Sequence, residues 1–105
     1  MKARITVLTL GVDDLEASLK FYRDGLGLPT EGIIGREFEH GAVAFFDLAG
    51  GLKFAIYERA SIAWDATVPQ SGRSPTELTI GHNVGSEAEV DAVMAEAVKA
   101  GARVV

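Results

Sequence analysis

The chain has 105 residues, enough for one domain with a modest core. Ten Lys and Arg against fifteen Asp and Glu leave a net charge of −5, a balance that repels phosphate backbones and argues against nucleic-acid binding. Cysteine is absent, which excludes disulfides, thiolate metal ligands and a cysteine nucleophile and fits a reducing cytoplasm.

From Ile5 to Val12 the residues are β-branched and apolar, as in a buried strand. Asp13 and Glu16 have the spacing of a capping box, and Leu15, Leu19, Tyr22 and Leu26 follow at helical spacing, with Phe21 beside the stripe. Gly25, Gly27 and Pro29 stop that helix. Thr30 to Phe38 reads as an irregular strand broken by Gly32 and Gly35, and Ala42 to Leu48 as a strong one. Gly50 and Gly51 make a hairpin turn, and Leu52 to Glu58 returns beside it. Alternation puts Phe54 and Ile56 on one face of that strand and Lys53, Ala55 and Tyr57 on the other.

Ser61 to Thr76 has no clean period and is expected to be a loop, long enough to have a functional part. The opening pattern then recurs. Glu77 to Val84 reads as a strand, and Ser86 with Glu89 as a second capping box. Val90, Val93, Met94, Ala97 and Val98 give a helical stripe, Gly101 a stop, and Arg103 to Val105 the start of another strand. The second copy begins roughly 70 to 75 residues after the first. The reading is thus one domain over 1–105, with a first module at 1–60, a loop at 61–76 and a partial second module at 77–105. No apolar run is long enough to span a bilayer, no basic amphipathic face suggests membrane docking, and no signal peptide is read at Met1 to Arg4.

The stretch Val12-Asp13-Asp14-Leu15-Glu16-Ala17-Ser18-Leu19-Lys20-Phe21-Tyr22, followed by Gly25-Leu26-Gly27-Leu28, resembles the opening strand–helix signature of the vicinal oxygen chelate superfamily, the glyoxalase, bleomycin-resistance and extradiol-dioxygenase relatives. The second helix, ending Lys99-Ala100-Gly101-Ala102-Arg103-Val104, is similar to that of the family's second module. The resemblance implies an α+β fold of paired βαβββ modules, forming a curved mixed sheet with helices on the convex face. It also implies that the second module is incomplete here. About three more strands would follow Val105, from a longer natural chain or from a partner.

In metal-dependent members, His, Glu or Gln side chains from the first and last strand of each module hold one divalent ion such as Zn, Ni, Mn or Fe. The ion stabilises an enolate of the bound substrate or activates dioxygen. By register those positions fall at Val7, at Ala55 (or Tyr57, one inward step on) and at Thr79, with the fourth beyond Val105. Val7 and Ala55 have no donor atom, and the Thr79 hydroxyl is a poor transition-metal ligand, so no metal cofactor is expected. His82 is three residues from Thr79 and faces the other way, as a strand-end histidine or as a general base near the cavity mouth. His40, beside Glu37, Glu39 and Gly41, reads as a surface-turn histidine. Gly32 to Gly35, Ser71 to Arg73, and Ser61 and Ser71 match no nucleotide-loop, phosphate-cradle or nucleophile-elbow context.

On the concave face, alternation collects Ile5, Val7, Thr9, Val43, Phe45, Ala55, Tyr57, Thr79, Gly81 and Asn83. This mostly apolar wall either lines a small-molecule pocket or packs a core or dimer contact. Trp64 either closes over a planar ligand or anchors its own loop. The candidate cleft residues are Val7, Thr9, Phe45, Ala55, Tyr57, Trp64, Thr79 and Asn83. The leading expectation is a metal-free cytoplasmic binding protein for a small, partly apolar molecule. The family's drug-binding members imply a homodimer, and the negative charge favours a cationic ligand. Two other readings stand beside it. One is a lyase or dioxygenase with a new ligand set, such as Glu58 or Glu77 with His82. The other is an oligomeric accessory subunit.

Overall fold

The computed structural model describes residues 1–105. Its first half is a complete β-α-β-β-β unit: β1 (Val7–Val12), α1 (Leu15–Leu19) running on into a π-helical turn (Lys20–Gly25), β2 (Thr30–Ile34), β3 (Val43–Asp47), a 3₁₀ turn (Ala49–Gly51) and β4 (Lys53–Glu58). Two helices follow, α2 (Arg59–Ala66) and α3 (Glu87–Ala100). The strands form one mixed, open, curved sheet in the order β1-β4-β3-β2. β1 pairs parallel with β4, and β4–β3 and β3–β2 are antiparallel. No helix is long and apolar enough to cross a membrane.

Strand alternation decides where the core lies. On one face of the sheet Val12, Ala44, Phe46, Phe54 and Ile56 are buried beneath Leu15 and Leu19 of α1. Tyr22, on the π-helical turn, sets its ring edge-on to Phe54 (centroids 5.0 Å apart) and Phe46 (5.9 Å). Phe46 and Ile56 have no measurable exposure, as suits the two interior strands. Leu10, Leu28, Ile33 and Leu48 pad the margin.

Several details depart from the reading of the sequence. The first helix is capped by Asp14, which accepts from the Ala17 N–H at 3.0 Å, and not by Asp13. Asp13 is free to bind Arg59 (3.1 Å) and Arg73 (3.2 Å). The strand expected to extend to Phe38 ends at Ile34, because Arg36 to His40 form turns. The segment expected to be a loop from Ser61 begins as helix. α2 starts directly after β4 and stops where Thr67 turns left-handed (φ 56°), two residues before Pro69.

The expected strand Glu77 to Val84 is not formed, nor is one at Arg103 to Val105. A strand is stable when its N–H and C=O groups are paired, and 77–84 makes no backbone hydrogen bond to any other part of the chain. α3 is well capped, with Ser86 accepting from the Glu89 N–H at 3.2 Å and Gly101 closing the C-terminus. Its stripe is hardly covered, however: Val90, Met94 and Val98 are 46–49% exposed. α3 is docked on the π-helical turn, where Ala100 meets Gly25. With half the chain lightly packed, the radius of gyration is 15.0 Å, against about 13 Å for a compact domain of this length.

Candidate functional site

The face of the sheet opposite α1 carries the candidate site. Phe45 pairs with Ala55, Ala55 with Thr9, and Val43 with Tyr57, so these five side chains share one face in three adjacent strands. α2 turns back over one end of that face. It can approach because β1 has Gly11 there: a Cβ at this position would lie only 3.2 Å from Ile62 Cδ1. Between sheet and helix lies a cleft of about 470 Å³, floored by Thr9, Val43, Phe45, Ala55 and Tyr57. Ile62, Asp65 and Ala66 of α2 and Gly41 of the turn before β3 close its side. The volume lies within the range of small-molecule sites, about 300–1,000 Å³. Asp65 is the one ionised side chain in this lining.

The rim beside Tyr57 is held by a compact polar cluster. The Tyr57 hydroxyl donates to the His40 carbonyl. His40 is held in the left-handed region (φ 53°), and its imidazole stacks on the Trp64 indole with centroids 4.6 Å apart and planes 22° from parallel. Ser61, buried at 2% exposure, sets its Oγ 3.4 Å from His40 Nδ1. Next to the cleft, on the α2 side, Arg59 joins Asp13 and reaches the Gly11 carbonyl at 3.4 Å.

Of the residues expected at the site, Thr9, Phe45, Ala55 and Tyr57 come together in the cleft. Val7 lies outside it, at the start of the edge strand β1 and 46% exposed. Thr79 and Asn83 do not reach it, because the strand that would present them is unpaired coil and both are exposed. Trp64 is on α2 and not on a loop. Its ring is spent on His40 and does not cover the cleft. His40, expected as a surface-turn histidine, lies in a turn, with its side chain 30% exposed beside Trp64. Asp65, Ile62, Ala66 and Gly41 carry no signal in the sequence that marks them for the site. Three of them belong to the helix that the aperiodic sequence conceals, and the alternation rule applies only to strands.

The register positions for a family-type metal, Val7, Ala55 and Thr79, bring no imidazole or carboxylate to the cleft. No three His, Cys, Asp or Glu side chains converge anywhere in the chain to hold an ion. These residues therefore do not fit the family's metal centre.

The sequence matches the model of the Glyoxalase/Bleomycin resistance protein/Dioxygenase superfamily over residues 4–105. Among solved structures it is similar to a glyoxalase-related enzyme from Fulvimarina pelagi, with 31% identity and a TM-score of 0.75 over 94% of this chain and 66% of that one. It is also similar to a glyoxalase/bleomycin resistance protein/dioxygenase from Nocardioides, with 26% identity and a TM-score of 0.69 over 96% of this chain and 64% of that one. A lactoylglutathione lyase from Agrobacterium tumefaciens shares the fold at 21% identity and a TM-score of 0.52, over 90% of this chain and 67% of that one. The chain thus spans about two thirds of the length of these proteins. A search of the curated proteins gives no match. The βαβββ unit, the family match over nearly the whole sequence and the 31% identity to a glyoxalase-related enzyme agree: the chain belongs to the glyoxalase/bleomycin resistance protein/dioxygenase superfamily.

Proposed function

We propose that the chain is a metal-independent small-molecule binding protein of this superfamily, with its ligand in the cleft between the open sheet face and α2. One observation carries the reading. The cleft is an apolar floor (Val43, Phe45, Ala55) with few polar groups at its rim, and Val7, Ala55 and Thr79, at three of the family's metal positions, offer no imidazole or carboxylate. A partly apolar ligand would bury its hydrocarbon part on that floor. Asp65, in a chain of net charge −5, favours positive charge at the rim. We propose that the chain acts as a homodimer. β1 is an edge strand with no partner on its outer side, and Ile5, Val7 and Leu8, on or just before it, are exposed.

The test is a ligand screen followed by amide chemical shifts, with sedimentation at matched concentrations to read the association state. Ligands that move the Thr9, Phe45, Ala55 and Tyr57 signals in metal-stripped protein support the reading. Ligands that shift only residues elsewhere contradict it.

A further inference from the structure

The polar groups around the cleft share a property that its apolar floor does not reveal: almost all of them can only accept hydrogen bonds. The Tyr57 hydroxyl donates its hydrogen bond to the His40 carbonyl, so its oxygen has only lone pairs left for a ligand. Asp65, ionised, is an acceptor alone. Asp65 and Ala66 are also the last two residues of α2, and no N–H reaches their carbonyls. The Thr67 N–H turns back to Trp64 O (3.2 Å) and the Val68 N–H to Ala63 O (3.0 Å), while Pro69 has no N–H to give. The Gly41 N–H is committed to the Phe38 carbonyl at 3.1 Å. Only the Thr9 hydroxyl remains able to donate, and no Lys, Arg or His lines the cleft.

We propose that this end of the cleft selects a protonated amine that carries N–H groups, with the hydrocarbon body of the ligand on Val43, Phe45 and Ala55. The inference rests on the cleft being the binding site. An ammonium N–H supplies the donor that acceptors covered by a ligand would need, and its charge is favoured beside Asp65 and the C-terminal end of α2. A quaternary ammonium brings the charge and no donor. An alcohol brings one donor and no charge, and a carboxylate is repelled twice. A bare divalent cation fits worse than any of these cations, since one carboxylate is too few for the oxygen-rich shells such ions require.

The test is a titration of the full chain at pH 7, read by amide chemical shifts, with four probes of one shape. These are 2-phenylethylamine, its N,N,N-trimethyl derivative, 2-phenylethanol and 3-phenylpropionate. The amine is expected to bind at least about ten-fold more tightly than the trimethyl derivative, with the propionate weakest of the four. Tyr57→Phe should shrink the amine-to-trimethyl ratio, and Asp65→Asn should weaken both cations, the amine more than its trimethyl form. Equal binding of the amine and its trimethyl form would overturn the donor requirement and leave the cleft reading standing. Tightest binding by the propionate would overturn the sign of the charge. No response at Phe45, Ala55 or Tyr57 to any of the four would overturn the cleft as a binding site and this inference with it. The wild-type series decides these outcomes even if a variant fails to fold.

Discussion

Gly25→Ala sets helix propensity against a steric contact, and the structure says which wins. By propensity alone, replacing a glycine near a helix end with alanine stabilises by about 0.5–1 kcal/mol. At this glycine, however, the new Cβ would stand 2.4 Å from Ala100 Cβ and 3.3 Å from Ala100 Cα. Carbon atoms pack at about 3.5–4.0 Å, so the gap must open by about 1 Å. Neither side has a flexible end to move, so the C-terminal turn of α3 must lift. Overpacking of this kind costs about 1–3 kcal/mol, which leaves a net loss of about 0–2.5 kcal/mol, centred near about 1 kcal/mol. The loss should be local. α3 has few other contacts, and a 14-residue helix on its own is marginal in water. Native-state hydrogen exchange reads this directly. Amides of α3 from Val93 to Ala100 should exchange about five- to ten-fold faster, while Phe54 to Ile56 in β4 keep their protection. Combining the change with Ala100→Gly should show positive coupling, because the clash then disappears. Unchanged or slower exchange in α3, or two substitutions that simply add, would refute the reasoning.

Phe46→Ala removes a fully buried ring that lies against Tyr22 and Phe54, and it should cost about 3–5 kcal/mol in urea unfolding. Asp14→Ala should cost about 1 kcal/mol as a lost N-cap, whereas Asp13→Ala, which breaks partly exposed ion pairs to Arg59 and Arg73, should stay within about 0.5–1 kcal/mol in the same assay. Burial pushes the Tyr22 phenol above its ordinary value of 10.0, so as pH rises through that value the unfolded chain releases its proton first. The stabilisation is complete below pH 10 and declines as pH climbs towards the folded value. Tyr22→Phe should therefore flatten the alkaline limb of a melting-temperature profile, and an unchanged limb would contradict the assignment.

Strands gave up their layout readily because alternation is strict when one face is buried. Phe54 and Ile56 fall in the core, and Ala55 and Tyr57 on the cleft side, as the period of two requires. The cleft floor was legible for the same reason. What escaped depends on partners that a local pattern does not contain. α2 has eight residues and no sustained stripe, so Asp65 and Ala66 were hidden with it. The Trp64–His40 stack joins residues 24 positions apart, and no periodicity announces it. Glu77 to Val84 has the composition of a strand, but composition does not supply the neighbouring strand that its backbone needs. Thr79 and Asn83 therefore remain outside the cleft.

The most direct test of the account is whether the cleft binds without metal. The chain would be stripped with chelator, checked by elemental analysis, and titrated with 2-phenylethylamine. The titration would then be repeated after incubation with Zn, Ni, Mn or Fe(II). The account predicts saturable shifts at Thr9, Phe45, Ala55 and Tyr57 in the stripped protein, and the same affinity after each incubation. Binding that appears only once an equivalent of metal is retained would contradict it.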